Sequence, residues 1–201
     1  MMRILIIGGH GTIGKKVTDH FKKQHEVIVA GRTQGDVTMD ISDRKSIENA
    51  LRSIGHLDAI INASGEAKWA PFNELSEEDY YIGFRSKLMG QVNLVRIGQH
   101  YLNTNGSITL STGFLADRPV PMTASAAMVN GAIHSFVQAV ALELEGGLRV
   151  NVVSSGLVED AYERYKDYFP GHAVIPMDTM VEGYVKSVMG NGSGEIIRIY
   201  D

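Results

Sequence analysis

Four glycines fall within seven residues at Gly8-Gly9-His10-Gly11-Thr12-Ile13-Gly14, directly after the apolar run Ile4–Ile7. The spacing Gly9-x-Gly11-x-x-Gly14 is what a chain needs to turn tightly and bring bare backbone against a pyrophosphate. A helix opening at the end of such a loop aims its N-terminus at the phosphates. A strand before the loop and a helix after it make the spacing far more specific than the glycines alone. The second apolar run ends at Ala30-Gly31-Arg32-Thr33. At that point a dinucleotide-binding chain reads the adenosine ribose: an acidic residue suits the hydroxyls of NAD, and an arginine suits the 2′-phosphate of NADP. Arg32 therefore favours NADP(H) over NAD(H). His10 is either a second contact to that phosphate or a plain loop residue.

Other chemistries are poorly supplied. The chain has no cysteine, which excludes disulfides, thiolate nucleophiles and cysteine-based zinc sites. Its seven histidines stand singly, without metal-ligand spacing, so no metal is expected. Ser154-Ser155-Gly156 lacks the flanking glycine of a nucleophile elbow. A net charge of −4 gives no electrostatic case for a nucleic-acid partner. The opening apolar run is too short for a membrane span or a signal peptide, so a cytoplasmic location is the expectation.

Positioning these residues falls to an alternation of short β-branched runs and longer helical patterns. Strands are predicted at Ile4–Ile7, Val27–Ala30, Val37–Asp40, Leu57–Asn62, Ser107–Leu110, Leu148–Val153 and Glu195–Ile199. Helices are predicted over Thr12–Lys23, Asp43–Ile54 with Ser42 as cap, Ser76 to about Tyr101, Thr123–Leu144 and Thr179–Met189. The stretch from Thr33 to Asp36 leaves no room for a helix between the second and third strands. The pattern implies one α/β domain over residues 1–201 with a parallel sheet and right-handed crossovers. Ligands of such sheets sit beyond the carboxyl ends of the strands, so the turns after the first, fourth and fifth strands are the places to look.

Several segments in those places resemble the short-chain dehydrogenase/reductase (SDR) family. Asp40-Ile41 resembles that family's adenine-contacting pair, and Asn62-Ala63-Ser64-Gly65 its Asn-Asn-Ala-Gly turn. Arg149 to Gly156 resembles its R-x-N-x-x-x-P-G segment, with Ser155 in place of proline. The resemblance implies a three-layer, doubly wound Rossmann fold with a mainly parallel seven-stranded sheet. It also implies a nicotinamide cofactor and hydride transfer to or from a small carbonyl or alcohol. A homodimer or homotetramer built partly on the two long central helices is implied as well. The cofactor contacts it implies are Gly8 to Gly14, Arg32, Asp40, Ile41, Asn62 to Gly65, and Gly156.

The same resemblance implies a catalytic tyrosine and lysine four residues apart on the helix after the fifth strand. Alignment of Ala124 to Gly131 puts Met122 at the tyrosine position and Ala126 at the lysine position. No other tyrosine is available between Tyr101 and Tyr162, and no lysine between Lys87 and Lys166. Ser111 and Thr112 fall at the substrate-orienting serine, and Lys87 at the family's helix asparagine. Two readings follow: an oxidoreductase with an altered proton path, in which Lys87 and Thr112 polarise a carbonyl and water or Tyr162 supplies the proton, or a non-catalytic NADP(H)-binding sensor. Three further expectations concern the loops. Trp69, after the Asn62–Gly65 turn, should lie near the cofactor cleft, and Glu159 to Pro176 should form a lid. Asp160, in a position where a threonine commonly meets the cofactor, should repel its phosphates.

Overall fold

The computed structural model describes residues 1–200. Chain order is β1 (Arg3–Ile7), α1 (Thr12–Phe21), β2 (Glu26–Gly31), β3 (Val37–Thr38), α2 (Arg44–Ile54) and β4 (Leu57–Asn62). Then follow α3 (Glu77–Gly83), a π-helical segment Phe84–Met89, α4 (Gly90–Gly98), β5 (Leu102–Gly113) and α5 (Ala124–Val140). The chain continues through β6 (Arg149–Ser155), β7 (Leu157–Val158), α6 (Tyr162–Tyr165), β8 (Val174–Ile175), α7 (Met177–Met189) and β9 (Ile196–Ile199).

Seven strands form one sheet in the order β3-β2-β1-β4-β5-β6-β9, every pair parallel. Alternation along β1 shows how helices cover both faces. Leu5 and Ile7 enter one core with Ile47 and Leu51 of α2, Leu94 of α4 and Ile133 of α5. Ile4 and Ile6 enter the other with Val17 of α1 and Met180 and Tyr184 of α7. The fold is the three-layer, doubly wound Rossmann arrangement. Strand order reverses direction between β1 and β4, which opens a crevice between the loops that follow them.

Local differences from the predicted elements have local causes. Asp43, not Ser42, caps α2 by accepting from Lys45 N at 2.9 Å, because the Ser42 hydroxyl is turned back onto Asp40. The long predicted helix after Ser76 is interrupted by the π-helical segment, which adds a wider turn around Lys87. α5 stops at Val140 rather than Leu144, and Gly146 and Gly147, with φ of +66° and +71°, turn the chain into β6. A second, two-stranded sheet of β7 and β8 closes the base of the segment between them; runs of two residues carry too little period to be read from sequence.

Candidate active site

The glycines of the first loop are needed for different reasons. Gly8 has φ of +79°, and its N–H continues the β1–β2 ladder by donating to Ala30 O at 2.8 Å. A Cβ on Gly14 would lie 2.1 Å from Gly8 O, and one on Gly9 would lie 2.8 Å from both Thr18 Oγ1 and Val29. These two glycines let α1 pack onto the loop. Gly11 differs: a Cβ there would meet only Gly8 O, at 3.3 Å, with its other side open. Gly11 is also the N-cap of α1, offers no side chain to the first N–H groups, and no acidic residue occupies the first turn. The cradle is thus bare backbone with an unopposed positive helix end, which fits a dinucleotide pyrophosphate.

Gly8, Arg32, Asp40, Ile41, Ser64 and Gly65 line a single cavity of ≈ 230 Å³ beside this cradle, joined by Glu66 and Ser86. Asn62 is buried and shapes the turn: its Nδ2 donates to Ser64 O at 3.0 Å and its Oδ1 accepts from Ser64 Oγ at 2.7 Å. Ala63 N donates to Ile7 O at 2.8 Å, which holds that turn against β1. Asp40 Oδ1 accepts from Ser42 Oγ at 2.6 Å and Ser42 N at 2.9 Å. The bond from the Ser42 hydroxyl chiefly holds its carboxyl below the usual range, against burial and helped by Ser42 N–H and Arg32. Arg32 lies 3.7 Å from Glu66. His10 is exposed on the loop. Gly156 lies apart, lining a different cavity of ≈ 350 Å³ with Phe114, His172 and Tyr200.

Lys87 sits in the π-helical segment with its stem against the β4 turn. A Cβ on Gly65, whose φ is +120°, would lie 3.1 Å from Lys87 Cγ and 3.2 Å from its Cα. Gln91, fully buried, fixes this arrangement: its Nε2 donates to Lys87 O at 3.2 Å and Ser111 O at 3.1 Å, and its Oε1 accepts from Ser111 N at 2.9 Å. The Lys87 ammonium has no hydrogen bond or ion pair among the described residues, and burial lowers it to about 8.

The two hydroxyls at the end of β5 face opposite layers. Ser111 Oγ donates to Asn62 O and therefore accepts from Tyr184 OH at 2.8 Å, on the side of α7. Burial pushes the Tyr184 phenol up to about 12. Through these two bonds Ser111 pins the sheet to α7. Thr112 faces α5 and shares a 2.8 Å hydrogen bond with His134 Nε2, both side chains buried. Burial lowers His134, against the nearby Asp117 carboxylate. No hydrogen bond joins Thr112 to Lys87 among the described residues.

Met122 lies just outside the helix. It precedes α5 in a left-handed turn with φ of +72°, its C=O accepting from Ala70 N at 3.1 Å, so it is not on the helix. The positions four apart that face the end of β5 are Ala126, packed with Phe114 and Leu115, and Asn130, whose Nδ2 donates to Gly113 O at 3.4 Å. Neither register supplies a tyrosine or a lysine. Trp69 lies under the lid rather than against the glycine cradle, its ring 5.5 Å from those of Tyr165 and Tyr168 and 6.1 Å from Phe169. Asp160 is paired with Lys16 of α1 at 3.8 Å. Among the described residues no cluster of three or more metal-ligating side chains occurs, and no helix is long and apolar enough to cross a membrane.

Gln91, His134 and Tyr184 were not singled out by motif. The signal that could have found Gln91 is a glutamine in the apolar face of a predicted helix, where a buried amide must find partners.

A glycine cradle of this form on a sheet of this order defines a Rossmann-type α/β protein. Comparison with known proteins narrows the class: the family described as Enoyl-(Acyl carrier protein) reductase matches residues 6–180. The chain belongs to the short-chain dehydrogenase/reductase family. Among solved structures it is similar to the protein lin1944 from Listeria innocua, at 40% identity and a TM-score of 0.98 over 100% of both chains. It is also similar to a small-chain dehydrogenase solved in complex with NADPH, at 27% identity and a TM-score of 0.87 over 98% of this chain and 96% of that one. A probable tetrahydroxynaphthalene reductase of Zymoseptoria tritici is 27% identical over 176 residues, 86% of this chain and 65% of the relative. The chain spans from about half to two thirds of the length of such curated relatives, 51% for an uncharacterized oxidoreductase of Methylorubrum extorquens.

Proposed function

We propose that this chain is an NAD(P)-dependent oxidoreductase, with NADP(H) preferred through Arg32, acting on a small carbonyl or alcohol without a tyrosine and lysine pair. The observation that carries the reading is Lys87, an ammonium without a polar partner among the described residues, lowered to about 8 and wedged against Gly65, which lines the cavity beside the cradle. A bound nicotinamide dinucleotide would supply the hydride. Gly8, Gly9, Gly11 and Gly14 would leave space for its phosphates, and Thr12 and Ile13 would present the N–H groups of α1. Lys87 Nζ would give a proton to the substrate oxygen as hydride reaches the carbonyl carbon, and would be reprotonated from solvent. A group titrating near neutrality is suited to that work. Thr112, held by His134, would border the substrate rather than donate. Exposed Tyr81, Ile82, Met89 and Met128 on α3, the π-helical segment and α5 support assembly into a homo-oligomer through that layer.

The test is turnover of a carbonyl panel with NADPH by the wild type and by Lys87→Met. Turnover by the wild type that falls about a hundredfold or more in the variant supports the reading; equal rates overturn it. One observation favours the second reading, a non-catalytic NADP(H) sensor: both β5 hydroxyls are already committed, Ser111 to Asn62 O and Tyr184, Thr112 to His134. Tight NADPH binding with no turnover of any carbonyl would select it.

A further inference from the structure

We infer that Glu66 tunes how strongly this chain prefers a 2′-phosphorylated dinucleotide, by holding the Arg32 guanidinium that the 2′-phosphate would need; this rests on the dinucleotide reading above. The cavity beside the glycine cradle carries three charged side chains, Arg32, Asp40 and Glu66, so one guanidinium stands against two carboxylates. A phosphate monoester brings about −1.5 to −2 at neutral pH. Arg32 by itself attracts that charge, whereas the two carboxylates oppose it.

The two carboxylates differ in freedom. Asp40 accepts from both the N–H and the hydroxyl of Ser42, so turning it away would break both bonds. It is a fixed part of the wall. Glu66 is anchored only through its backbone, whose N–H donates to Ser86 Oγ at 3.3 Å after the left-handed Gly65. Its side chain is 61% exposed and, among the described residues, its ion-pair partner is Arg32, 3.7 Å away. That separation is longer than a direct hydrogen bond, and an exposed pair of this kind is readily exchanged for a better partner. Glu66 therefore occupies the guanidinium until an anion displaces it. With NAD(H) no displacement is required, and a carboxylate is a suitable acceptor for ribose hydroxyls. Arg32 sets the preference for the 2′-phosphate, and Glu66 limits it.

The experiment compares 2′,5′-ADP with ADP by isothermal titration calorimetry on the full chain, for the wild type, Glu66→Gln, Glu66→Asp, Arg32→Ala and the double variant Arg32→Ala with Glu66→Gln. Glu66→Gln should tighten 2′,5′-ADP about threefold or more while leaving ADP within about twofold. Glu66→Asp, which keeps the charge, should stay near the wild-type ratio. In the Arg32→Ala background the benefit of Glu66→Gln should shrink, since the two residues act as a pair. Raising the salt to about 0.5 M should narrow the difference between the wild type and Glu66→Gln. If Glu66→Gln shifts both probes in parallel, or neither, the role of Glu66 is overturned and the dinucleotide reading stands. If neither probe nor NADPH nor NADH binds the wild type, the dinucleotide reading falls and this inference with it.

Discussion

At the scale of single residues, Lys87 is the proposed proton donor, and its burial carries a measurable cost. Its ammonium is held near 8, below the ordinary lysine value of about 10.4. Between those values the unfolded chain binds more protons than the folded one, so the stability that Lys87 withholds at neutral pH is regained as pH rises from about 8. Lys87→Met should therefore raise Tm at pH 7 while removing turnover, and the gain should vanish by about pH 10.5. Because the protonated amine is the acting form, kcat in the reductive direction should fall as pH rises through about 8. Ser111→Ala should behave in the opposite sense. It strips Tyr184 OH of its acceptor inside the core, a loss of about 1–3 kcal/mol, read as a Tm lowered by several degrees with turnover per folded molecule retained. A fall in turnover without a fall in Tm would return Ser111 to the substrate. Residue identity alone could not separate Ser111 from Thr112. Adjacent hydroxyls on a strand point to opposite layers, and only the packing of α7 on one side and α5 on the other shows which is which.

At the scale of elements, the loop between β1 and α1 allows two glycines to be told apart. Gly14→Ala drives a Cβ into Gly8 O and should unfold or strongly destabilise the chain, seen as a lowered Tm without any ligand. Gly11→Ala has room in the fold, since its backbone is extended at φ of −74°, but places a methyl on the open side. It should keep Tm within a few degrees and weaken NADPH binding about tenfold, measured by calorimetry. The glycine spacing, the strand and helix alternation and the Arg32 turn were all legible in sequence, because each is a short-range pattern with a local physical cause. The start of α5 was legible too, since the predicted first residue, Thr123, is its N-cap. The left-handed turn at Met122 was not, because it breaks the rule that φ above zero belongs to glycine. The π-helical segment around Lys87 was hidden for a related reason, since an apolar period tolerates one wide turn without visible change.

At the scale of the whole molecule, the cradle and the lid are coupled through side chains far apart in sequence. Lys16 on α1 pairs with Asp160 of the lid, and the lid aromatics Tyr165, Tyr168 and Phe169 surround Trp69. A ligand at the start of α1 should be felt by Trp69, so NADPH should change tryptophan fluorescence, and Asp160→Ala should reduce that change. The aromatic richness of residues 159–176 was legible, but its packing on Trp69 was not, because that contact joins segments about a hundred residues apart. Dinucleotide binding at the cradle is the property on which every other role here depends. Thermal denaturation with and without dinucleotide tests it most directly: at about a hundred times Kd, NADPH should add about 2.7 kcal/mol and raise Tm by several degrees. NADH should do so less. No rise with either dinucleotide at millimolar concentration would contradict the account.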